Sequence, residues 1–184
     1  MNRLLPVLLI CALAALPVLL HASDAHADDI VDHAPFHGLL QEHVDGRGMV
    51  DYKALLKKRA ALDAYVDAVA GASVKGKSRK AKLAFYINAY NANVLKMVLD
   101  EWGSGVNKSR SVLKVDAFFD KKTVTVAGKK TSLNGLEKQL ILPKFKDARV
   151  HFVLVCAALS CPPLQREALT EKNVHKIMNR ATRK

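Results

Sequence analysis

The segment KLAFYINAYNANVLKMVLDEW, residues 82–102, carries the longest helical pattern of apolar residues in the chain. At 100° per residue its apolar side chains form one continuous stripe along a helix. Only Asn93, Lys96 and Asp100 mark a clearly polar side. The pattern therefore predicts a long, mostly buried helix around which the rest of the fold packs.

Two asparagines of this helix fall on its apolar side. Asn88 and Asn91 are three residues apart and therefore share one side of the helix. A buried amide without a hydrogen-bond partner costs about 1–3 kcal/mol, so both need partners. Either they hold the backbone of a neighbouring loop, or they orient a ligand or a catalytic group.

Shorter patterns surround the long helix. Helical spacing recurs over residues 36–43 and 49–71, and Gly128 centres a predicted β-hairpin. Thr131 or Ser132 would cap a short helix that ends at Pro143.

The run RVHFVLVCAA, residues 149–158, is continuously apolar, as in a buried central strand. Pro162 and Pro163 suit the first turn of a following helix. We therefore predict an α+β fold: a single, mostly helical domain with a small sheet that includes a central buried strand and the β-hairpin.

The N-terminus has the layout of a secretory signal. A cationic start precedes an apolar run over residues 4–20, and the small-x-small pattern of residues 25–27 marks a cleavage site. An uncleaved membrane anchor is the alternative, but the run is short and contains two prolines. We expect a signal peptide over residues 1–27, a domain over residues 28–184, and a periplasmic or secreted bacterial protein.

The chain carries a net charge of +12, spread over several basic runs. Export argues against a nucleic-acid partner, and no aromatic residues are interleaved with the basic runs. A solvated basic surface is one interpretation, and weak attraction to anionic cell-envelope surfaces is the other. The sequence does not indicate an oligomeric state.

Two cysteines remain after the predicted cleavage, Cys156 and Cys161. In an oxidising compartment a disulfide between them is the default expectation, although so short a loop adds little stability. A helix beginning after Cys161 would favour its thiolate and make the sulfur nucleophilic. On a regular strand His151 and Cys156 would face opposite sides, and about 20 Å would separate His151 from the strand's end. His151 would therefore face away from Cys156 and lie far from Cys161, which makes it a poor base for either cysteine.

Other polar residues have weaker signals. Glu137 lies three residues beyond Asn134, where a capping role and a role in a binding site both remain open. His33 and His37 have the spacing of a metal pair, but no third strong ligand stands at motif spacing. The sequence therefore predicts neither a metal site nor a cofactor.

Taken together, four segments resemble the domain of unknown function 547 family. The resemblance implies a small α+β domain, often exported in bacteria, without an agreed activity, and it extends by analogy to papain-like thiol folds. Family domains usually continue beyond the position of Lys184, which implies that the chain lacks a C-terminal part. The segments are GRGMVDY (46–52), LAFYINAYNANVLKMVL (83–99), SLNGLEKQLIL (132–142) and RVHFVLVCAALSCPPL (149–164). The recurrent polar residues of the family map onto Asn88, Asn91, Glu137, His151, Cys156 and Cys161.

Three functions stay open at this stage. The first is a thiol-dependent protein that binds a small thiol or peptide-like ligand. The second is a cysteine hydrolase or acyl transferase, and the third is a non-enzymatic interaction module with a structural disulfide. The first would use Asn88, Asn91, Glu137, Cys156 and Cys161 as ligand-binding residues. The second would use Cys161 as nucleophile, Asn91 as orienting residue and His151 as the hypothetical base.

Overall fold

The computed structural model describes residues 29–103 and 117–183. The predicted signal peptide, residues 1–27, lies outside the described residues. The fold is α+β and mostly helical, with a small two-stranded sheet, as the sequence predicts. Its elements are α1 (Ala34–His43), α2 (Tyr52–Lys57), α3 (Arg59–Gly71), α4 (Arg79–Gly103), β1 (Val124–Val126), β2 (Lys129–Thr131), a π-helix (Gly135–Ile141), α5 (Leu142–Phe145), a 3₁₀-helix (Ala148–Phe152) and α6 (Val174–Ala181).

The helix α4 is the centre of the fold. Its residues Ile87, Ala92 and Val94 are completely buried, and α3 packs along it while α1 packs on α3. The predicted buried helix is thus confirmed. Asn93, expected on the polar side, is buried instead and donates to the carbonyl of Ala89 at 2.8 Å.

The second predicted helix, residues 49–71, is divided at Lys58 into α2 and α3. Asp51 caps α2 by accepting a hydrogen bond from the Ala54 N–H at 2.9 Å. Among the helices of residues 29–103 and 117–183, none has the length and apolar character that a membrane span requires.

The predicted hairpin is confirmed. Strands β1 and β2 pair antiparallel, and both residues of the turn, Ala127 and Gly128, have positive φ, as a tight hairpin turn requires. Ser132 then caps the next helix, because its Oγ accepts a hydrogen bond from the Gly135 N–H at 3.0 Å. The helix does not end at Pro143 as predicted. The proline lies in the first turn of α5, where its missing N–H is tolerated.

The predicted central strand at residues 149–158 is wrong. Residues 148–152 form the 3₁₀-helix, and the chain is irregular from 154 to 165. Burial of this run is partial: Val153, Leu154 and Val155 are buried, but His151 and Phe152 are exposed. A strand also needs a neighbour to hydrogen-bond with, and the sheet in the described part of the chain consists of β1 and β2 alone. Pro162 and Pro163 likewise begin no helix, since α6 starts at Val174. Cys161 therefore does not lie at a helix N-terminus.

Gly48 lies in the first loop, between α1 and α2, and packs closely against this irregular segment. Gly48 has a φ of 79°, and a Cβ added there would lie 2.4 Å from the Cβ of Pro163 and 2.8 Å from the N of Leu164. Both the conformation and the close approach require glycine. The loop after α1 is therefore pressed against the segment that follows Cys161.

We predict that Gly48→Ala lowers the free energy of unfolding by about 2–4 kcal/mol, because it adds a backbone clash to an unfavourable φ. Urea denaturation followed by circular dichroism measures the change. Gly46→Ala is the matched control, since that glycine lies in the same loop with nothing within 4 Å of its added Cβ. Equal effects of the two substitutions would contradict the prediction.

Candidate functional site

Asn88 and Asn91 bind the backbone of the C-terminal half of the chain. Asn88 donates to the carbonyl of Leu169 at 2.7 Å and accepts from the Leu169 N–H at 3.0 Å. Asn91 donates to the carbonyl of Val153 at 2.9 Å and accepts from the Val155 N–H at 3.1 Å. Both amides are buried and each uses its oxygen and its nitrogen on backbone groups. The structure therefore shows the loop-holding role that the sequence left open.

Cys156 and Cys161 form a disulfide with a Cα–Cα distance of 5.9 Å, as the sequence predicts. The loop between them turns tightly, with Ala157 at a φ of 55° and a hydrogen bond from the Cys161 N–H to the Ala158 carbonyl at 3.0 Å. Leu159 at its tip is 87% exposed. The disulfide thus closes a small, partly exposed loop directly after the residues that Asn91 holds.

A cavity of about 200 Å³ lies beside this loop. Its walls are mostly apolar and come from three regions: the loop after α1, helix α4 and the disulfide loop. Tyr52 adds a neutral phenol to the wall, because burial raises its pKa, already above ordinary pH, to about 12. Cys161 lines the cavity. The other lining residues are Gly48, Met49, Val50, Tyr52, Leu95, Val155, Ala157, Ala158, Leu159, Pro162 and Leu164.

Glu137 and His151 lie together. The Nδ1 of His151 is 3.7 Å from a carboxylate oxygen of Glu137, and the imidazole is 56% exposed on the 3₁₀-helix. Glu137 sits in the π-helix and also neighbours Tyr90 of α4. Burial raises the pKa of the Tyr90 hydroxyl well above its usual range, and the negative charge of Glu137 raises it further. An acidic partner thus stands next to the imidazole, which is a carboxylate–histidine pair rather than an isolated histidine.

His151 lies on the 3₁₀-helix beside Glu137, not on the extended strand that the sequence predicts. Its predicted separation from Cys161 assumed about six residues of extended strand, whereas residues 148–152 are helical and the chain then turns irregularly. Because no strand forms there, the estimate of about 20 Å between His151 and the strand's end no longer applies. The capping role considered for Glu137 is not seen, because Ser132 caps that helix.

Of the sequence-predicted site residues, Cys161 is the one that lines the cavity. Met49, Tyr52 and Leu95 also line it, although sequence reasoning did not select them. All three do lie in segments that carry the family resemblance: Met49 and Tyr52 belong to GRGMVDY, and Leu95 lies in the long helix segment. Their side chains are apolar or neutral, so their chemistry alone does not mark them as site residues.

A second, polar cavity of about 290 Å³ adjoins the first across Gly48 and Leu164. Its charged residues are engaged with one another and with the backbone. Arg180 pairs with Glu167 at 2.6 Å, and Arg166 donates to the Gln41 carbonyl at 2.9 Å.

The two histidines with metal-pair spacing line a third cavity but have protein partners. The Nδ1 of His33 is 2.7 Å from the Tyr65 hydroxyl, and the Nδ1 of His37 accepts from the Ala168 N–H at 3.4 Å. Within residues 29–103 and 117–183 no group of three or more histidine, cysteine or carboxylate ligands comes together.

We predict that Asn91→Ala lowers the free energy of unfolding by about 2–4 kcal/mol, because it leaves a buried N–H and a buried C=O of the Val153–Val155 segment without partners. Asn93→Ala is the control: it is equally buried but bonds only to a carbonyl of its own helix. Urea denaturation of both variants checks the difference. An effect of Asn91→Ala no larger than that of Asn93→Ala would refute the backbone-holding role.

The comparisons with known proteins agree with the resemblance in sequence. No curated protein and no solved structure matches the chain. A family model, described as protein of unknown function, DUF547, matches residues 74–184. This range is more than half of the chain and contains α4, both cysteines and the Glu137–His151 pair. The chain therefore belongs to the DUF547 family.

Proposed function

We propose that the chain is an exported, thiol-dependent binding protein that takes a small thiol into the cavity beside Cys161. The observation that carries the proposal is that one cysteine of a partly exposed disulfide, Cys161, lines a preformed, mostly apolar cavity. The signal-like N-terminus supports export, and export supplies the oxidising compartment in which such a disulfide persists.

The size of the cavity supports a small ligand. Cavities for drug-sized ligands hold about 300–1,000 Å³, and this one holds about 200 Å³. Its mouth includes Met49 and Leu159, which are both exposed although apolar. A short ligand with an apolar body next to its sulfur would cover this surface.

The proposed chemistry is thiol–disulfide exchange. The thiolate of the ligand attacks the Sγ of Cys161, a bond forms between the two sulfurs, and the Cys156–Cys161 bond breaks with Cys156 leaving as the thiolate. The ligand's proton goes to solvent. Attack by Cys156 on the mixed disulfide releases the ligand and restores the original bond. No separate oxidant or reductant is consumed.

We predict that cysteamine, used as a small thiol probe, forms a mixed disulfide on Cys161 rather than on Cys156. Intact mass before and after alkylation, followed by peptide mapping, locates the adduct. Ala158→Phe fills the cavity and should slow adduct formation about tenfold, because exchange depends on access to the attacked sulfur. Ser160→Phe lies in the same loop outside the cavity lining and is the matched control.

Two outcomes would count against the proposal. Adducts divided equally between the two cysteines would show that the cavity does not direct the exchange. A disulfide inert to excess cysteamine would leave the structural-disulfide function, that of a non-enzymatic interaction module.

A second candidate function, a cysteine hydrolase or acyl transferase, is favoured by one observation. The Glu137 carboxylate lies 3.7 Å from the Nδ1 of His151, which is longer than a hydrogen bond, and a small rotation of the exposed imidazole would let the carboxylate orient it as a general base. The closed disulfide works against it, because this chemistry needs Cys161 as a free thiolate. Reduction of the disulfide would have to come first.

For this second function we predict that Cys156→Ala hydrolyses p-nitrophenyl acetate without added reductant, since the variant leaves Cys161 free. Adding His151→Gln should lower kcat/KM about a hundredfold, the usual contribution of a general base. Adding Cys161→Ala should abolish turnover. Hydrolysis that survives the loss of Cys161 would exclude it as the nucleophile.

A further inference from the structure

The start of α4 carries a cluster of cations that has no role in the thiol site. It combines the first turn of the helix with the end of α5, and we call it the basic patch. Both segments are basic in sequence, KGKSRKAK at 75–82 and KFK at 144–146. The patch consists of Arg79, Lys80, Lys82, Lys144 and Lys146.

Contacts of Arg79 join the two segments. Its guanidinium donates to the carbonyls of Lys144 at 3.0 Å and Phe145 at 2.6 Å, and it lies 5.2 Å from the centre of the Phe145 ring. The Nζ of Lys144 lies 5.6 Å from the centre of the Tyr86 ring. Arg79, Lys82 and Tyr86 follow one another on a single side of α4, at spacings of three and four residues. These contacts place the first turn of α4 beside Lys144 and Phe145 of α5, so the two basic segments adjoin in space and not only in sequence.

The basic patch is not neutralised. Several other surface cations of the fold have carboxylate partners, for example Arg59 with Asp63 and Arg149 with Asp147. In the described part of the chain no carboxylate lies within 4 Å of any cation of the patch. The nearby acidic Glu171 is engaged with Ser78.

The position of these cations also costs stability. The N-terminal end of a helix has a partial positive charge, which disfavours lysine and arginine in the first turn. Arg79, Lys80 and Lys82 all lie there, and the first turn holds no acidic residue. An uncompensated arrangement of this kind is explained if an external anion supplies the missing charge.

We propose that the basic patch docks the protein on the anionic headgroups of a phospholipid bilayer. Tyr86 and Phe145 are buried, so no exposed ring is available for stacking on a nucleic acid. The large exposed apolar side chains, Met49, Leu56, Phe152 and Leu159, lie outside the patch, so attachment is electrostatic and without insertion. The predicted export brings the protein to such a surface.

This docking is separate from the thiol site. Arg79 and Leu95, which lines the cavity, are sixteen positions apart on α4, and at 1.5 Å per residue that is about 24 Å. A bound bilayer would therefore leave the Cys161 cavity open. Failure of one proposal has no bearing on the other.

The test is co-sedimentation of the chain, produced by an exporting host, with vesicles of stated composition. We expect binding to vesicles of mixed phosphatidylglycerol and phosphatidylcholine, little binding to pure phosphatidylcholine, and loss of binding at about 1 M salt, where the Debye length is about 3 Å. Lys80→Glu with Lys146→Glu should weaken binding at least about tenfold, because each basic residue near an anionic membrane contributes substantially. Lys80→Gln with Lys146→Gln should give a smaller loss.

The control has the same charge change elsewhere. Lys53→Glu with Lys57→Glu alters two exposed lysines of α2. Arg59, which follows α2 in the chain, pairs with Asp100 near the C-terminal end of α4, whereas the patch lies at the N-terminal end of that helix. Thermal melts separate docking from folding: glutamate at position 80 suits the dipole at the start of α4 and offsets the cost of glutamate at position 146, the C-cap of α5, so the patch variant should melt close to the wild type. Three results would overturn the proposal: equal binding to both vesicle types, an equal loss in the control, or retention on soluble polyphosphate without vesicle binding.

Discussion

The rest of the structure depends on the hydrogen bonds that α4 makes through Asn88 and Asn91 to the backbone of the C-terminal half. Buried backbone groups in irregular chain must find partners, and here two amides of a rigid helix provide them. The asparagines are about 4.5 Å apart along the helix axis, so they bring Val153–Val155 and Leu169 within one helical turn of each other. Each amide bonds to both a donor and an acceptor, which fixes the direction of the segment as well as its position. Apolar residues at these positions would bury equally well but would leave the held backbone without partners.

The position of the disulfide loop follows from this restraint. Val155 is fixed by Asn91, and Cys156 is the next residue, so one end of the disulfide loop is anchored to α4. The other end, Cys161 to Leu164, is held by the close approach of Gly48. Between the anchors lie a few small or exposed residues that can rearrange when the bond opens. Closing so short a loop constrains the unfolded chain less than closing a long one. Opening the bond should therefore cost the fold little stability, as the proposed reversible exchange requires.

Much of this was predictable from the sequence. The apolar stripe identified α4, the turn at Gly128 identified the hairpin, and the spacing of the cysteines together with the predicted export identified the disulfide. The central strand failed for a physical reason: an apolar run reports burial, but a strand also needs a partner strand, which local sequence does not reveal. Asn93 failed because the wheel places it beside Lys96 and Asp100, while packing from distant segments decides which sides of a central helix are covered. The Glu137–His151 pair was out of reach because it depends on the π-helix and the 3₁₀-helix, neither of which has a clear periodic signal.

The cavity combines two parts of the chain with different relations to the family. The matched region, residues 74–184, supplies Cys161, Leu95 and the disulfide loop. The opposite wall, Gly48 to Tyr52, precedes that region. Thiol exchange depends on the sulfur, but which thiol reaches the sulfur depends on the shape of both walls. Because Gly48 already lies against Pro163 and Leu164, the first loop cannot move closer, and Met49, Val50 and Tyr52 line the cavity on this side. Under the proposed function, therefore, the family region would supply the chemistry, and the preceding loop would select among ligands.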